Sequence, residues 1–238
     1  MSTTMRIIIL LLMTSTIIGN NFEGSIGLMG QFPKNEFKEQ GVPTGLGVDF
    51  NGLIYPAPYI GFGLNLGYGE YGSSSRQVPF NYFSPGVTVE ERTANAIGEA
   101  HLFFRIKPFY QLKIQPYIEG LVGLKHLSTK TTIESNNCTD EDDNCDIAAS
   151  TNASDIAFSW GWGFGLDILL TEKFGEKDQK CYFFINGRYL GGGEAKYLKE
   201  GGIILSDPAL GPVTATYDWN NSRTDLLQVS FGINLRFN

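Results

Sequence analysis

The chain has 238 residues, of which 42% are hydrophobic and 18% are charged. This length suits a single domain, and the composition fits either a soluble protein or a membrane barrel. The formal net charge of −7 at pH 7 argues against a nucleic-acid partner, because nucleic-acid-binding domains normally carry a basic patch.

Residues 1–19 have the pattern of a cleaved secretory signal peptide. Arg6 precedes an apolar run from Ile7 to Met13, and a cleavage site follows near Gly19 or Asn20. The run is too short to cross a bilayer as a helix. The sequence therefore predicts an exported protein.

The mature part, residues 20–238, contains eight segments in which apolar and polar residues alternate. Because successive side chains of a strand point to opposite faces, each segment has one apolar and one polar face. The predicted strands are 22–32, 46–54, 60–69, 94–107, 118–125, 158–168, 183–189 and 226–238. The last one has an unbroken apolar row and the length of a tilted membrane-spanning strand.

The connections between these strands are alternately long and short. The long ones are 33–44, 72–92, 127–155 and 191–223, and residues 87–90 could extend a strand within the second of them. Short turns on one side and long connections on the other are typical of a transmembrane barrel with both termini in the periplasm.

Aromatic residues gather near the short turns and predict an interfacial girdle. They are Tyr55, Tyr59, Phe109, Tyr110, Tyr117, Tyr182, Phe183 and Phe237.

Alternation alone does not say whether the apolar rows face a core or lipid. A soluble, lipocalin-like barrel would place them inside, but an eight-stranded barrel has room only for side chains or one small ligand, and rows of Phe, Trp, Tyr and Leu would overfill it. The centres of these rows carry no charged residue, and a single Arg or Lys there would cost about 2–4 kcal/mol in a bilayer. We therefore expect an all-β fold, an eight-stranded antiparallel up-and-down transmembrane β-barrel.

The polar rows would then meet in the lumen as a network of ion pairs. Its predicted members are Asp49, Glu99, His101, Arg105, Glu119, Asp167, Arg188 and Arg236, joined by Glu23, Lys107 and Lys125. Such large charged side chains in a narrow lumen argue against an open pore.

With the strands in place, the sequence resembles the OmpA/OmpX-like superfamily of eight-stranded outer-membrane barrels, the outer membrane protein beta-barrel domain group. The resemblance covers nearly the whole mature chain and rests on residues 116–120 with Gly123, on residues 188–190 with 197–198, and on the aromatic-ended last strand.

The resemblance implies a location in the Gram-negative outer membrane, contact with its lipid and lipopolysaccharide, and recognition by the barrel-assembly machinery. It assigns the assembly signal to Phe231, Ile233, Leu235 and Phe237.

Few residues suggest a catalytic or ligand-binding role. Glu99, His101 and Arg105 share one strand face and could form an acid–base set, but they fit the lumen network better. His126, with Ser128, is the one local similarity to barrels that modify lipid A. We expect no catalytic residue, no metal and no cofactor.

The connection 127–155 holds two further features. Its acidic residues from Asp140 to Asp146 could bind Ca²⁺, but they lack the glycine and the distal glutamate of an EF-hand loop. Cys138 and Cys145 could close a small disulfide.

The sequence thus predicts a monomeric structural or surface-interaction barrel that displays long outside loops and is not an enzyme. Two alternatives stay open: a lipid A-modifying barrel enzyme, and a carrier of a small apolar ligand.

Overall fold

The computed structural model describes residues 22–81, 84–135, 146–174, 179–205 and 215–237. The predicted signal peptide 1–19 lies outside these residues, as do Cys138 and Cys145, which could close a disulfide, and most of the acidic segment 140–146, which was weighed as a Ca²⁺ site. Within the described ranges, no helix is long and apolar enough to cross a membrane.

The described ranges form ten strands and one short helix. In chain order they are β1 (Phe22–Pro33), α1 (Asn35–Glu39), β2 (Gly45–Ala57), β3 (Ile60–Asn81), β4 (Ser84–Ile106), β5 (Ile114–Ser135), β6 (Asp146–Thr171), β7 (Gln179–Gly192), β8 (Glu194–Leu205), β9 (Ala215–Arg223) and β10 (Leu226–Phe237).

Eight of these strands form a closed barrel in the order β1-β10-β7-β6-β5-β4-β3-β2. All neighbours are antiparallel, and β1 closes the barrel against β10 from Phe22 opposite Phe237 to Pro33 opposite Leu226. Closure leaves no strand edge in the wall, so the backbone polar groups there are paired within the barrel, as lipid requires. The predicted eight-stranded antiparallel barrel is confirmed.

The polarity of the barrel is inverted relative to a soluble protein. Every barrel strand exposes at least one large apolar side chain on its outer face, represented by Phe22, Phe50, Phe62, Leu102, Ile118, Trp160, Ile185 and Phe231. Every barrel strand also buries at least one polar side chain on its inner face, represented by Glu23, Asp49, Asn65, Arg105, Glu119, Asp167, Arg188 and Asn234. We call the outer set the apolar belt.

Strands β3 to β6 are much longer than the sequence predicts, with 22, 23, 22 and 26 residues. The β3–β4 ladder continues to Asn81 opposite Ser84, and the β5–β6 ladder to Glu134 opposite Asp146. The prediction of loops at 72–92 and 127–155 was therefore wrong over most of their length. Beyond the belt the strict alternation of apolar and polar residues stops, in segments such as 72–77, 90–93 and 128–132, although the pairing continues.

The connection 191–223 is also not a plain loop. β8 and β9 pair with each other, and this β8–β9 hairpin, which we call the lid, packs against the inner side of the long strands β3 to β6. The inner face of the lid buries Ala195, Tyr197, Asn220 and Ser222. The lid therefore covers the mouth of the barrel at the end opposite the short turns.

Candidate functional site

Glu23 is the centre of an ion cluster at the short-turn end of the lumen. Its carboxylate oxygens lie 2.9 Å from Arg105 Nη1, 2.8 Å from Lys107 Nζ and 2.7 Å from Arg236 Nη2. Lys107 also pairs with Asp167. Glu23, Arg105, Asp167 and Arg236 belong to β1, β4, β6 and β10, and Lys107 directly follows β4. The cluster therefore links strands from opposite sides of the barrel.

Arg188 is the centre of a second cluster at mid-height. Its Nε donates to Glu119 Oε1 at 2.6 Å, and its Nη1 lies 3.2 Å from Asp49 Oδ1. Its Nη2 donates to Asn51 Oδ1 at 2.9 Å. The second oxygen of Glu119 accepts from Arg105 at 3.0 Å, which joins the two clusters.

Three aromatic residues of the predicted girdle lie inside the lumen instead of at the membrane interface. Tyr55, Tyr117 and Tyr182 are buried, because their positions share the parity of the inward polar row. The guanidinium carbon of Arg105 lies 4.0 Å from the centroid of the Tyr117 ring, and that of Arg236 lies 4.9 Å from the Tyr182 ring. The girdle prediction was therefore wrong for these three, whose rings contact buried cations.

The proposed acid–base set does not come together. Glu99 Oε1 accepts from Gln31 Nε2 at 3.0 Å, and His101 Nε2 lies 2.9 Å from Ser159 Oγ. Arg105 points away to the Glu23 cluster. Nδ1 of His101 has no hydrogen-bond partner among the described residues, so the His101–Ser159 pair lacks the carboxylate that would orient a catalytic histidine.

Lys125 connects the lumen to the base of the lid. Its ammonium group donates to the backbone carbonyls of Leu190, at 3.0 Å, and Thr224, at 2.6 Å. These residues lie just before β8 and just after β9. The buried lysine therefore holds both ends of the lid on the barrel wall.

Asp225 links the base of the lid to the segment that contains α1. Its Oδ1 accepts from the backbone N–H of Gly192 at 3.0 Å, and its Oδ2 accepts from Asn35 Nδ2 at 2.8 Å. Nearby, the N–H of Arg223 donates to Glu36 Oε2 at 3.2 Å. The lid and the first connection thus close the mouth as one hydrogen-bonded unit.

Apolar packing under the lid supports this unit. Phe37 of α1 is fully buried and lies edge-on to Tyr197 of the lid, with ring centroids 5.2 Å apart, and near Tyr71 of β3 at 6.1 Å. Burial raises the pKa of the Tyr197 hydroxyl. The neutral hydroxyl shares a 2.8 Å hydrogen bond with Ser222 across the hairpin.

His126 lies outside the barrel, at the upper edge of the apolar belt. Its Nε2 is 2.7 Å from Ser154 Oγ of the neighbouring strand, and both residues are exposed. Ser128, the partner suggested by the sequence, lies opposite Ser154 in the ladder instead. The structure thus replaces the suggested His126–Ser128 pair by a His126–Ser154 pair.

The predicted assembly-signal residues all lie on the outer face of β10. Phe231 and Ile233 are exposed, whereas Leu235 and Phe237 are half-buried. Among the described residues, no group of three or more His, Cys, Asp or Glu side chains could hold a metal ion.

A closed eight-stranded barrel with a charged lumen and an apolar exterior defines a transmembrane β-barrel. The sequence matches no protein-family model, and a comparison with curated proteins finds no match.

Among solved structures, the chain is similar to Neisserial surface protein A (NspA), with 11% identity, a TM-score of 0.36, and coverage of 92% of this chain and 96% of NspA. It is also similar to Ail, the attachment invasion locus protein of Yersinia pestis, with 12% identity, a TM-score of 0.33, and coverage of 92% and 97%.

Proposed function

We propose that this protein is a monomeric integral barrel of the bacterial outer membrane with a structural or surface-interaction role. The lid and the projecting ends of β3 to β6 face the outside of the cell, and the short turns face the periplasm. The protein is not an enzyme, and its lumen is closed to diffusion.

The observation that carries this proposal is the apolar belt. Leu102, Phe164 and Ile118 keep 65%, 63% and 58% of their surface exposed, and similar side chains continue around all eight strands. Soluble monomers rarely expose contiguous apolar patches larger than a few hundred Å². In water the exposure of these side chains would be unfavourable. In a bilayer it is not, because acyl chains are as apolar as the side chains that face them.

Export and assembly fit the same proposal. The signal-peptide pattern of residues 1–19 would direct the chain across the inner membrane. The apolar row of the last strand, with Phe231 and Phe237, would then be read by the barrel-assembly machinery. Outer-membrane lipid and lipopolysaccharide would surround the finished barrel.

The lumen supports a role without transport. Arg188 and Arg105 reach across the interior to carboxylates on other strands, and the lid covers the mouth above them. A lumen crossed by paired charges also disfavours the carrier alternative, because an apolar ligand would have to displace them. We expect the purified protein to produce no conductance steps in a planar lipid bilayer, and regular steps would contradict a closed lumen.

Expression in a Gram-negative host tests the proposal directly. The protein should appear in the outer-membrane fraction and run faster on a detergent gel before boiling than after, because the closed barrel resists unfolding. A soluble periplasmic protein without this mobility shift would overturn the proposal and favour a soluble barrel.

One observation favours a second candidate, the lipid A-modifying enzyme. The exposed His126–Ser154 pair, at 2.7 Å, lies where the belt meets the outer polar region and could activate the serine hydroxyl as a nucleophile. Mass spectrometry of lipid A from cells with and without the protein tests this. Modified lipid A species that disappear in His126→Ala and Ser154→Ala but persist in Ser128→Ala would establish the enzyme. The same lipid A species in cells with and without the protein would exclude it.

A further inference from the structure

A groove of about 470 Å³ crosses the apolar belt on the outer faces of β10, β1, β2 and β3. Its floor is formed by Gly24 and Gly52, which lie opposite each other on adjacent strands. In the same row, Leu235 lies beside Gly24 and Leu64 lies beside Gly52. Two neighbouring glycines leave out the side chains that would fill this part of the wall, so the groove follows from the register between β1 and β2.

The two floor glycines have more space above them than other glycines on the outer face. A Cβ on Gly120 would overlap the ring of Phe104, and one on Gly191 would lie 3.0 Å from the ring of Trp160. Aromatic rings therefore cover those glycines. For the floor glycines, the nearest atom outside their chain neighbours would be 3.5 Å away, on the ring of Phe22, which is an ordinary contact. The groove is therefore open to whatever surrounds the barrel.

The residues that line the groove offer it no polar side chain. Ser25 and Asn51 contribute to the lining, but their side chains point into the lumen, where Asn51 Nδ2 donates to Ser25 Oγ at 3.0 Å. The other walls are apolar and include Ile26, Phe50, Leu66, Ile233 and Phe237. An ion, a sugar or a lipid headgroup would lose its hydrogen bonds to water here without replacement. The occupant of the groove must therefore be apolar.

The dimensions of the groove fit a single hydrocarbon chain. It crosses four neighbouring strands, which lie about 4.8 Å apart, so it is roughly 14 Å long. One leaflet of the hydrocarbon core is about 15 Å thick. The rows on either side, represented by Phe22 and Ile26, start about 13 Å apart at the backbone, and their side chains narrow this gap. A transmembrane helix, about 10–12 Å wide, is therefore too thick to reach the floor, and the wall of a second barrel is wider still.

The groove lies in the half of the belt near the short turns. Gly24 is close to the start of β1, and β1 begins at that end with Phe22 opposite Phe237. If the short turns face the periplasm, as proposed above, the groove opens into the periplasmic leaflet of the outer membrane. That leaflet consists of phospholipids, whereas the acyl chains of lipopolysaccharide belong to the outer leaflet.

A preference of lipid for this groove must come from packing, because acyl chains gain no hydrophobic energy by moving from the bilayer onto an apolar wall. A chain in a groove contacts the protein on several sides, whereas a chain on a convex wall contacts it along one side only. We propose that the groove binds one acyl chain of a phospholipid from the periplasmic leaflet, across the β1–β10 seam at which the barrel closes. This site deepens the proposed function and rests on it, because it requires the belt to face lipid.

Photolabelling of the full chain in lipid vesicles tests the proposal. The vesicles consist of phosphatidylethanolamine and phosphatidylglycerol, with a trace of phosphatidylcholine that carries a diazirine in one acyl chain. After irradiation, the labelled residues are mapped by mass spectrometry. We expect label on Phe50 and Ile233, in the groove, about fivefold more often than on Phe164 and Ile118, which are matched in type and lie on the opposite side of the belt.

A variant with a filled groove provides the second comparison. Gly52→Leu should lower labelling of the groove to the level of the opposite side. The matched control is Gly187→Leu on the outer face of β7, where a Cβ would also make only an ordinary contact, at 3.8 Å, and where labelling of the groove should not change. Both variants must show the gel mobility shift of the folded barrel, and the comparison within the unchanged protein needs neither of them. Even labelling around the belt, or equal labelling of the groove in the two variants, would overturn the proposal.

Two other occupants would give different results. Groove labelling that is lost when lipopolysaccharide is added to the vesicles would mean that lipid A fills the groove, and dimers in detergent that disappear in Gly52→Leu would mean that a second copy of the chain does. Either result would overturn the proposal. Failure of the proposed function is seen separately, because a soluble protein without the mobility shift would not enter the vesicles, whereas an evenly labelled, folded barrel would lose only the groove site.

Discussion

Arg188 shows how single residues hold the lumen together. One guanidinium contacts Glu119 on β5, and Asp49 and Asn51 on β2. A lysine could not do this, because its ammonium lacks the planar fork that reaches several acceptors at fixed angles. The arginine therefore joins three strands that do not lie side by side.

Replacing Arg188 by methionine should destabilise the barrel by about 3–5 kcal/mol, because Asp49 and Glu119 would lose a buried counter-charge. The midpoint of urea unfolding in detergent micelles, followed by gel mobility, measures this. Arg223→Met, at an exposed position on the lid, is the matched control and should stay within about 0.5 kcal/mol. Equal midpoints for the two variants would show that the lumen network does not stabilise the fold.

At the scale of elements, the base of the lid depends on a close approach of two backbone segments. A Cβ on Gly192 would overlap the side chain of Thr224 and lie 2.5 Å from its carbonyl oxygen. The next residue, Gly193, has its nearest neighbour for such an atom at 3.5 Å, an ordinary contact. The two adjacent glycines therefore differ sharply in the space around them.

Gly192→Ala should loosen the lid and cost about 1–3 kcal/mol, whereas Gly193→Ala should cost less than about 1 kcal/mol. Limited proteolysis reports the lid directly, since cleavage within 194–223 should become faster in Gly192→Ala alone. The same cleavage rate in both variants would mean that the contact with Thr224 does not fix the lid.

The elements also show what the sequence could and could not predict. Rows such as 227–237 gave the barrel strands and their faces, because lipid on one side and a charged lumen on the other enforce strict alternation. The upper halves of β3 to β6 were missed because segments such as 72–77, 90–93 and 128–132 are polar at successive positions and interrupt the alternation. The lid was missed because its buried face, with Ala195, Tyr197 and Ser222, is short and mixed.

For the candidate site residues, the sequence could predict which face of the strand each one occupies but not which residues it contacts. Parity alone placed Glu119, Arg188 and Asp49 on inward faces, but which carboxylate each arginine contacts depends on the register between strands, which one sequence does not give. The same parity could have placed Tyr117 inside, since it lies two residues from Glu119 on one strand. His126 was found with the wrong serine, because its partner comes from the neighbouring strand.

For the whole molecule, a barrel that spans the membrane must have lipid on every side of its apolar belt. Leu102 lies near the middle of the belt on β4 and is 65% exposed. Leu102→Arg should destabilise the barrel in bilayers by about 2–4 kcal/mol. Asn221→Arg, on the exposed face of the lid, should cost less than about 0.5 kcal/mol. If the two variants had the same free energy of unfolding in lipid vesicles, Leu102 would not face the bilayer core.

The three tryptophans of the chain allow the most direct test of this account. Trp160 and Trp162 lie in the belt, whereas Trp219 lies on the lid. In vesicles whose acyl chains carry bromine, fluorescence of the Trp219→Phe variant should be strongly quenched, because its two remaining indoles touch lipid. The Trp160→Phe/Trp162→Phe variant should escape this quenching and be quenched by aqueous acrylamide instead. The reverse pattern would contradict the account, because it would place the apolar rows away from the membrane.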